Sequence, residues 1–233
     1  MRTAAFILCL ASALLMAKPV SAQDTVCGNA TSEPFLLWSN PLPVSLTGLT
    51  VAVGASPMLF ESARRQNILI RERVQLWRRE SFGHRGYHFD NTIQWLPLAS
   101  VMLLNVAGVP SRHEGWPLAQ RAASAILVNS AITHSLKLAV PELRPDRSAS
   151  NSFPSGHTAF AFTGAELLRL EYGHTSPWIP AAGYVVAAFT GFMRIYNDRH
   201  WTGDVLAGAG IGILSADLSY WLNEIIDRKI WKK

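Results

Sequence analysis

The stretch PSGHTAFAFTGAELLRLEY, residues 154–172, opens with turn-forming residues and continues as an apolar segment of helical length. Ser155 is a favourable N-cap residue, and Gly156 lets the backbone come close to a ligand. The first N–H groups of a helix have no partner within it, and the helix dipole makes that end attractive to anions. We therefore predict a helix over 157–172 whose N-terminus faces a negatively charged group.

Other apolar segments of helical length flank this one, at 92–109, 117–136, 178–195 and 203–222. No segment shows strict alternation, so no β-sheet is predicted. The chain is 49% hydrophobic and 16% charged, against a usual charged share of about 25%. This composition is typical of a membrane protein, and the predicted fold class is an all-α, multi-pass transmembrane bundle of about five to six helices. Gly208 and Gly212 are among the small residues that allow its last helix to pack closely.

The N-terminal part precedes this core. Residues 1–22 have a basic start, an apolar stretch and a small-residue cleavage site, which predicts a signal peptide, with an uncleaved signal anchor as the alternative. Removal of the signal would leave Cys27 as the sole cysteine, which excludes an internal disulfide and a cysteine metal site. Residues 23–41 are polar and contain proline, and they predict an irregular arm.

Two further segments complete the stretch 23–91. Residues 42–60 are apolar enough to span a bilayer, although Pro57 and two glycines leave a re-entrant helix as an alternative. In 61–91, arginines alternate with apolar residues at roughly helical spacing, which favours an amphipathic basic helix on the membrane surface over a solvated basic loop. We place the functional core at 92–225 and a basic tail at 226–233.

The net charge is +5 and the pI is about 9.5, which favours anionic partners. Phospholipid headgroups and a phosphorylated substrate both fit, and a positive-inside topology signal is the alternative explanation. The expected partners are a membrane and a phosphorylated lipid, with no nucleic acid and no obligate protein partner.

Charged residues border the apolar segments at three places, where they are costly unless they have a function. Lys137 and Arg144 offer a point charge and a planar fork that suit phosphoryl oxygens, and Arg194 offers a second fork. Three converging cations would repel one another in an empty site, so we expect an anion to lie between them. Each cation alone is better explained as a side chain that snorkels to the headgroups.

Two histidines accompany these cations. His200 and Asp204 are four residues apart, so a helix that begins near His200 places them on one face. Asp204 would then accept the Nδ1 proton and leave Nε2 of His200 free to attack phosphorus. His157 is left to protonate the departing oxygen and later to activate water. A lone histidine on a helix is more often structural, so the joint pattern carries this prediction.

The segments Lys137…Arg144-Pro145, Pro154-Ser155-Gly156-His157 and Arg194…His200…Asp204 resemble the three-part signature of the type 2 phosphatidic acid phosphatase superfamily. The resemblance implies an all-helical core, a phosphohistidine mechanism and no metal or other cofactor. It implies His200 as nucleophile, His157 as general acid and Asp204 as the partner of His200. The residues that it implies for phosphate binding are Lys137, Arg144, Ser155, Gly156 and Arg194. Met193 departs from the serine that the family often has, so one hydrogen bond to phosphate is missing.

The expected reaction is hydrolysis of a phosphate monoester or diphosphate on a membrane lipid. The candidates are lipid A, undecaprenyl diphosphate, phosphatidylglycerophosphate and phosphatidic acid, and the leader suggests a likeness to lipid A phosphatases. The alternatives are a soluble periplasmic acid phosphatase, a vanadium-dependent haloperoxidase and a catalytically silent membrane scaffold.

Helix order places the three motifs on one side of the membrane, opposite the C-terminus. The basic tail favours a cytoplasmic C-terminus, and hence a periplasmic active site in a bacterial inner membrane. If the signal is cleaved and 42–60 also spans, the count instead places the site in the cytoplasm.

Overall fold

The computed structural model describes residues 61–82, 86–87 and 89–231, with side chains described for 68–82, 86–87 and 89–228. This part of the chain forms seven α-helices: α1 (Glu61–Phe82), α2 (Asp90–Ile93), α3 (Leu96–Val106), α4 (Trp116–Ala139), α5 (Gly156–Tyr172), α6 (Trp178–Tyr196) and α7 (Thr202–Trp231). The predicted all-α class is therefore confirmed for the described residues. The predicted signal peptide, the arm and the apolar helix at 42–60 lie outside them.

Helices α4 to α7 correspond closely to four of the predicted apolar segments. The fifth, 92–109, is instead divided into α2 and α3 by a turn at residues 94–95. Pro97 lies in the first turn of α3, where its missing N–H leaves no helical hydrogen bond unmade, so a new helix starts there. At the other end of the chain, α7 continues to Trp231, into the predicted basic tail.

Helix α5 lies at the centre of the fold and packs against α3, α4, α6 and α7. Helix α7 comes close to it through two glycines, as the sequence predicted. A Cβ added to Gly208 would lie 2.6 Å from the backbone oxygen of Ser155, and one added to Gly212 would collide with the backbone of Ala159. This close packing brings the start of α7 against the start of α5, where the predicted motifs lie.

Two helices are long and apolar enough to cross a membrane, by length and composition. They are α6 and the Thr202–Arg228 portion of α7, while α3 is apolar but shorter. In the most apolar part of this α7 portion, 67% of the residues are buried inside the protein. The number of membrane-spanning helices therefore stays a prediction.

Helix α1 confirms a helix within the basic stretch 61–91, but its polar residues do not all face outwards. Gln75 and Arg78 are buried and Arg71 is half-buried, and these three residues share one helical face. That face packs on the loops between the later helices, because Glu142 and Asp198 there form ion pairs with Arg71 and Arg78. Several large apolar side chains of α1 are exposed instead: Ile68, Leu69, Ile70, Leu76 and Trp77.

Candidate active site

The three predicted motifs meet at one end of the bundle, where α4 and α6 end and α5 and α7 begin. Lys137 lies in the last turn of α4, Arg194 lies in the last turn of α6, and Asp204 lies in the first turn of α7. Ser155 is the N-cap of α5. Arg144 and His200 lie in the loops that connect these helices. The structure thus brings the predicted residues together from four helices and two loops.

His200 is buried, with 2% of its surface exposed, and its ring has a defined orientation. Its Nδ1 lies 2.7 Å from the backbone oxygen of Ser152. Because a carbonyl can only accept a hydrogen bond, Nδ1 carries the proton and Nε2 of the neutral ring is left with a free lone pair. This is the tautomer that a nucleophilic Nε2 requires.

The surroundings of His200 favour the neutral ring. Burial is the largest cause of a pKa well below the ordinary value for this histidine. Positive charges nearby lower the pKa of His200 further, and they are those of Arg194, Lys137 and Arg144. The neutral ring is the form in which Nε2 has a lone pair for attack.

Asp204 does not make the predicted hydrogen bond to Nδ1 of His200. Its Oδ2 lies 3.7 Å from Nδ1 of His200, too far for a hydrogen bond, whereas the carbonyl of Ser152 is 1.0 Å closer. The carboxylate instead accepts hydrogen bonds from the Ser152 hydroxyl and, at 2.9 Å, from the Trp201 N–H. The predicted direct contact is replaced because His200 precedes α7, so helical spacing does not govern its position.

A second carboxylate lies beside Asp204. Burial, and then the negative charge of Asp204, raise the pKa of Glu142. Arg71 pairs with Glu142, and its Nη2 lies 3.9 Å from Asp204. The guanidinium also covers the Trp201 ring at 5.0 Å. Sequence reasoning missed Arg71 and Glu142, because neither lies in a motif and their pairing depends on how α1 docks.

The three predicted cations have different partners in the structure. Lys137 donates from Nζ to the backbone oxygen of Asn151 at 2.7 Å, and Arg144 donates from Nε to the Asn151 side chain at 3.1 Å. Arg194 is buried and pairs with the buried carboxylate of Asp90. Arg194 therefore has an anion within the protein, while the expected anion between the three cations stays a prediction.

The start of α5 has the predicted N-cap residue, but the hydroxyl makes another contact. The Ser155 Oγ lies 2.8 Å from Oγ1 of Thr158, and no side-chain capping bond forms. A Cβ added to Gly156 would lie 3.6 Å from Thr133 and 3.9 Å from the Lys137 side chain, so packing alone does not require glycine there. A phosphate-binding role for Ser155 and Gly156 stays a prediction.

His157 has a partner that sequence reasoning also missed. Its Nε2 lies 2.8 Å from Oδ1 of Asn91, in the short helix α2. Neither Asn91 nor its neighbour Asp90 lies in a recognisable motif, and 66 residues separate Asn91 from His157. No sequence signal pointed to either residue.

Among the described residues, no group of three or more His, Cys, Asp or Glu side chains is arranged to hold a metal ion. The expectation that the reaction needs no metal stays a prediction that follows from the resemblance.

Comparisons with known proteins agree with the resemblance. Residues 119–226 match the family model of the PAP2 superfamily. Over 149 residues the chain is 42% identical to the lipid A 1-phosphatase of Porphyromonas gingivalis. The aligned region covers 63% of this chain and 34% of that protein. Over 130 residues it is 28% identical to the undecaprenyl-diphosphatase of Sulfolobus acidocaldarius, covering 51% of this chain and 58% of that protein.

Among solved structures, the chain is similar to LpxE of Aquifex aeolicus, with 24% identity and a TM-score of 0.48, over 63% of this chain and 94% of that one. The chain spans only about a third of the length of the lipid A 1-phosphatase from Porphyromonas gingivalis.

Proposed function

Because residues 119–226 match the family model of the PAP2 superfamily, we propose that this protein is a membrane phosphatase that hydrolyses a phosphate monoester or diphosphate on a lipid. The observation that carries the proposal is the buried His200, whose Nδ1 binds a carbonyl at the end of the bundle where Lys137, Arg144 and Arg194 also lie. The similarity to a lipid A 1-phosphatase supports a lipid substrate. Lipid A, undecaprenyl diphosphate, phosphatidylglycerophosphate and phosphatidic acid are the candidates.

The proposed reaction has two steps. First, Nε2 of His200 forms a bond to phosphorus while the bond from phosphorus to the lipid oxygen breaks, and His157 gives that oxygen its proton. Second, His157 takes a proton from water, the hydroxide oxygen bonds to phosphorus, and the N–P bond breaks to release inorganic phosphate. Throughout, Lys137, Arg144 and Arg194 bind the phosphoryl oxygens, together with the Ser155 and Gly156 region at the start of α5. None of these steps requires a metal.

We place the enzyme in a bacterial inner membrane as a multi-pass protein. Helix α6 and most of α7 have the required length and composition. The apolar side chains exposed on α6 suit contact with lipid, among them Trp178, Val185, Phe189 and Phe192. The active site then lies at the membrane surface, where a lipid headgroup can reach it.

The function is tested by assaying phosphate release from each candidate lipid, with the full chain purified in detergent and EDTA present throughout. We expect hydrolysis of at least one lipid, inhibited competitively by vanadate, because vanadate imitates five-coordinate phosphorus. Matched assays without EDTA should give the same rate. Failure to release phosphate from any of the four lipids would reject the proposal, and loss of activity that added metal restores would reject the metal-free mechanism.

The side of the membrane is a separate prediction. Because α7 leads away from the site, the C-terminus lies on the opposite side of the membrane. The basic tail favours the cytoplasm, so we expect a cytoplasmic C-terminus and a periplasmic active site. A reporter that is active only in the cytoplasm should therefore be active when fused after Lys233, and a reporter that is active only in the periplasm should be silent there. The reverse pattern would place the active site in the cytoplasm.

A further inference from the structure

A short segment before α3 contacts the active site although it precedes the region matched to the family. The backbone of Tyr87 makes two hydrogen bonds with the side chain of Asn197, which follows α6 directly, at 3.0 and 2.6 Å. The ring of Phe89 stacks on that of Phe189 in α6, with 5.9 Å between the centroids. These contacts hold Tyr87 and Phe89 against α6 and so fix the position of the two residues that follow Phe89.

Asp90, the first residue of α2, is one of the two. It is fully buried, and its Oδ2 accepts a hydrogen bond from Nη1 of Arg194, which is only 5% exposed. A buried guanidinium without an anion is costly, so this pair keeps Arg194 in place when no phosphate is bound.

The pair leaves part of the guanidinium free. The Nε of Arg194 is buried and has no hydrogen-bond partner among the described residues. Guanidinium has five N–H donors in a rigid plane, so an anchor at Nη1 fixes the direction of the remaining donors. A phosphoryl oxygen is the acceptor that the proposed function supplies for them.

Asn91 contacts the other side of the site. Its Oδ1 lies 2.8 Å from Nε2 of His157, the residue proposed to protonate the leaving oxygen. An amide next to that nitrogen limits the rotation of the ring and holds it in one orientation. Two adjacent residues thus contact one cation from α6 and one histidine from α5.

We infer that Asp90 and Asn91 are positioning residues of the active site: Asp90 directs Arg194 towards the phosphate, and Asn91 directs His157 towards the leaving oxygen. The inference rests on the proposed function. It divides the two roles between neighbours, so each substitution should change a different kinetic quantity.

For Asp90, the measured quantities are KM and the inhibition constant of vanadate, with p-nitrophenyl phosphate as substrate. Asp90→Ala removes the anchor of Arg194 and should raise both by about tenfold, the cost of one charge-assisted hydrogen bond. Asp90→Asn keeps an oxygen that accepts from Nη1, so it should restore most of the affinity. If both variants instead bind vanadate more tightly, Asp90 competes with phosphate and the inference is overturned.

For Asn91, the measured quantity is kcat/KM with two substrates that differ in leaving group. Asn91→Ala should lower kcat/KM for an alkyl phosphate by about tenfold or more, because an alkoxide leaves poorly without a proton from His157. The loss should be much smaller for p-nitrophenyl phosphate, whose phenolate leaves readily. The inhibition constant of vanadate should not change. Equal losses with both substrates would show a general structural role and overturn this half of the inference.

Two controls separate these outcomes from other failures. Asp227→Asn removes the carboxylate of a second Arg–Asp pair, with Arg121 at 2.8 Å, remote from the active site, and should leave KM and vanadate inhibition unchanged. In an Arg194→Ala background, Asp90→Ala should have no further effect on vanadate inhibition, because its target is gone. An additive effect there would overturn the inference.

The outcomes for the proposed function and for this inference can be told apart. Activity that survives His200→Ala would reject the proposed function itself, whereas wild-type kinetics in Asp90→Ala would reject only this inference.

Discussion

Replacement of His200 by alanine should abolish phosphate release from every substrate, with a loss on the order of 10⁴-fold or more. The expected loss is this large because the proposed intermediate is a covalent bond to Nε2 of that ring, and no described side chain takes its place in the same orientation. Initial rates with the lipid that the wild-type protein hydrolyses fastest, and with p-nitrophenyl phosphate, provide the measurement.

The matched control is His134→Ala, one turn before Lys137 in α4. His134 is exposed, and its Nδ1 forms a hydrogen bond with the Ser130 backbone oxygen, at 2.8 Å, in the same helix. That variant should keep wild-type activity. Rapid quenching of the wild-type protein with labelled substrate should trap phosphate on the chain in an acid-labile, alkali-stable form, which is the behaviour of phosphohistidine. Full activity in His200→Ala would contradict the mechanism.

The apolar helices could be predicted from the sequence because each is a long segment bounded by turn residues. The ends of α4 and α6 are within a few residues of the predicted limits, since hydrophobicity and length determine them locally. The site residues in three motifs could also be predicted, because charges at the ends of apolar helices need a function.

Contacts between distant parts of the chain were beyond prediction. Asp90 and Arg194 are 104 residues apart, and Arg71 meets Glu142 only because α1 docks on the loops. A sequence read residue by residue shows that a buried arginine requires an anion, but it does not show which aspartate supplies it. The prediction therefore assigned that anion to the substrate, whereas Asp90 already pairs with Arg194.

The orientation of the His200 ring could not be predicted either, although the residues involved are close in the sequence. Helical spacing predicted that Asp204 would contact the ring, but α7 begins at Thr202, after His200. Asp204 is the third residue of α7, and its carboxylate accepts a hydrogen bond from the N–H of Trp201. Acidic side chains at this helix position commonly bind the N–H of the N-cap residue in this way. The loop that ends at Pro154 supplies the acceptor for Nδ1 instead, through the Ser152 carbonyl.

Asp204→Asn should lower kcat by about 10²-fold or more, although the residue does not contact His200 directly. Asp204 is fully buried, and its carboxylate binds both the hydroxyl of Ser152, whose carbonyl binds His200, and the N–H of Trp201, which follows His200 in the chain. Its charge also stabilises the imidazole as positive charge develops on it during attack. The oxygen of an asparagine can still accept from both donors, but it carries no charge, so both hydrogen bonds weaken and the stabilisation of the charged imidazole is lost. The measurement is kcat with saturating substrate, with retained helicity by circular dichroism as the control for folding.

Ser152→Ala distinguishes this indirect route from a direct contact. The substitution keeps the carbonyl that accepts from Nδ1 of His200 but removes the hydroxyl that ties that backbone to Asp204. Loss of a hydrogen bond to a charged group costs about 1.5–3 kcal/mol, so kcat should fall by roughly tenfold or more. In the double variant with Asp204→Asn, the losses should be far from additive, because both substitutions break the same connection. If Ser152→Ala keeps wild-type kcat while Asp204→Asn does not, Asp204 acts on the imidazole itself, and the predicted direct contact forms when substrate is bound.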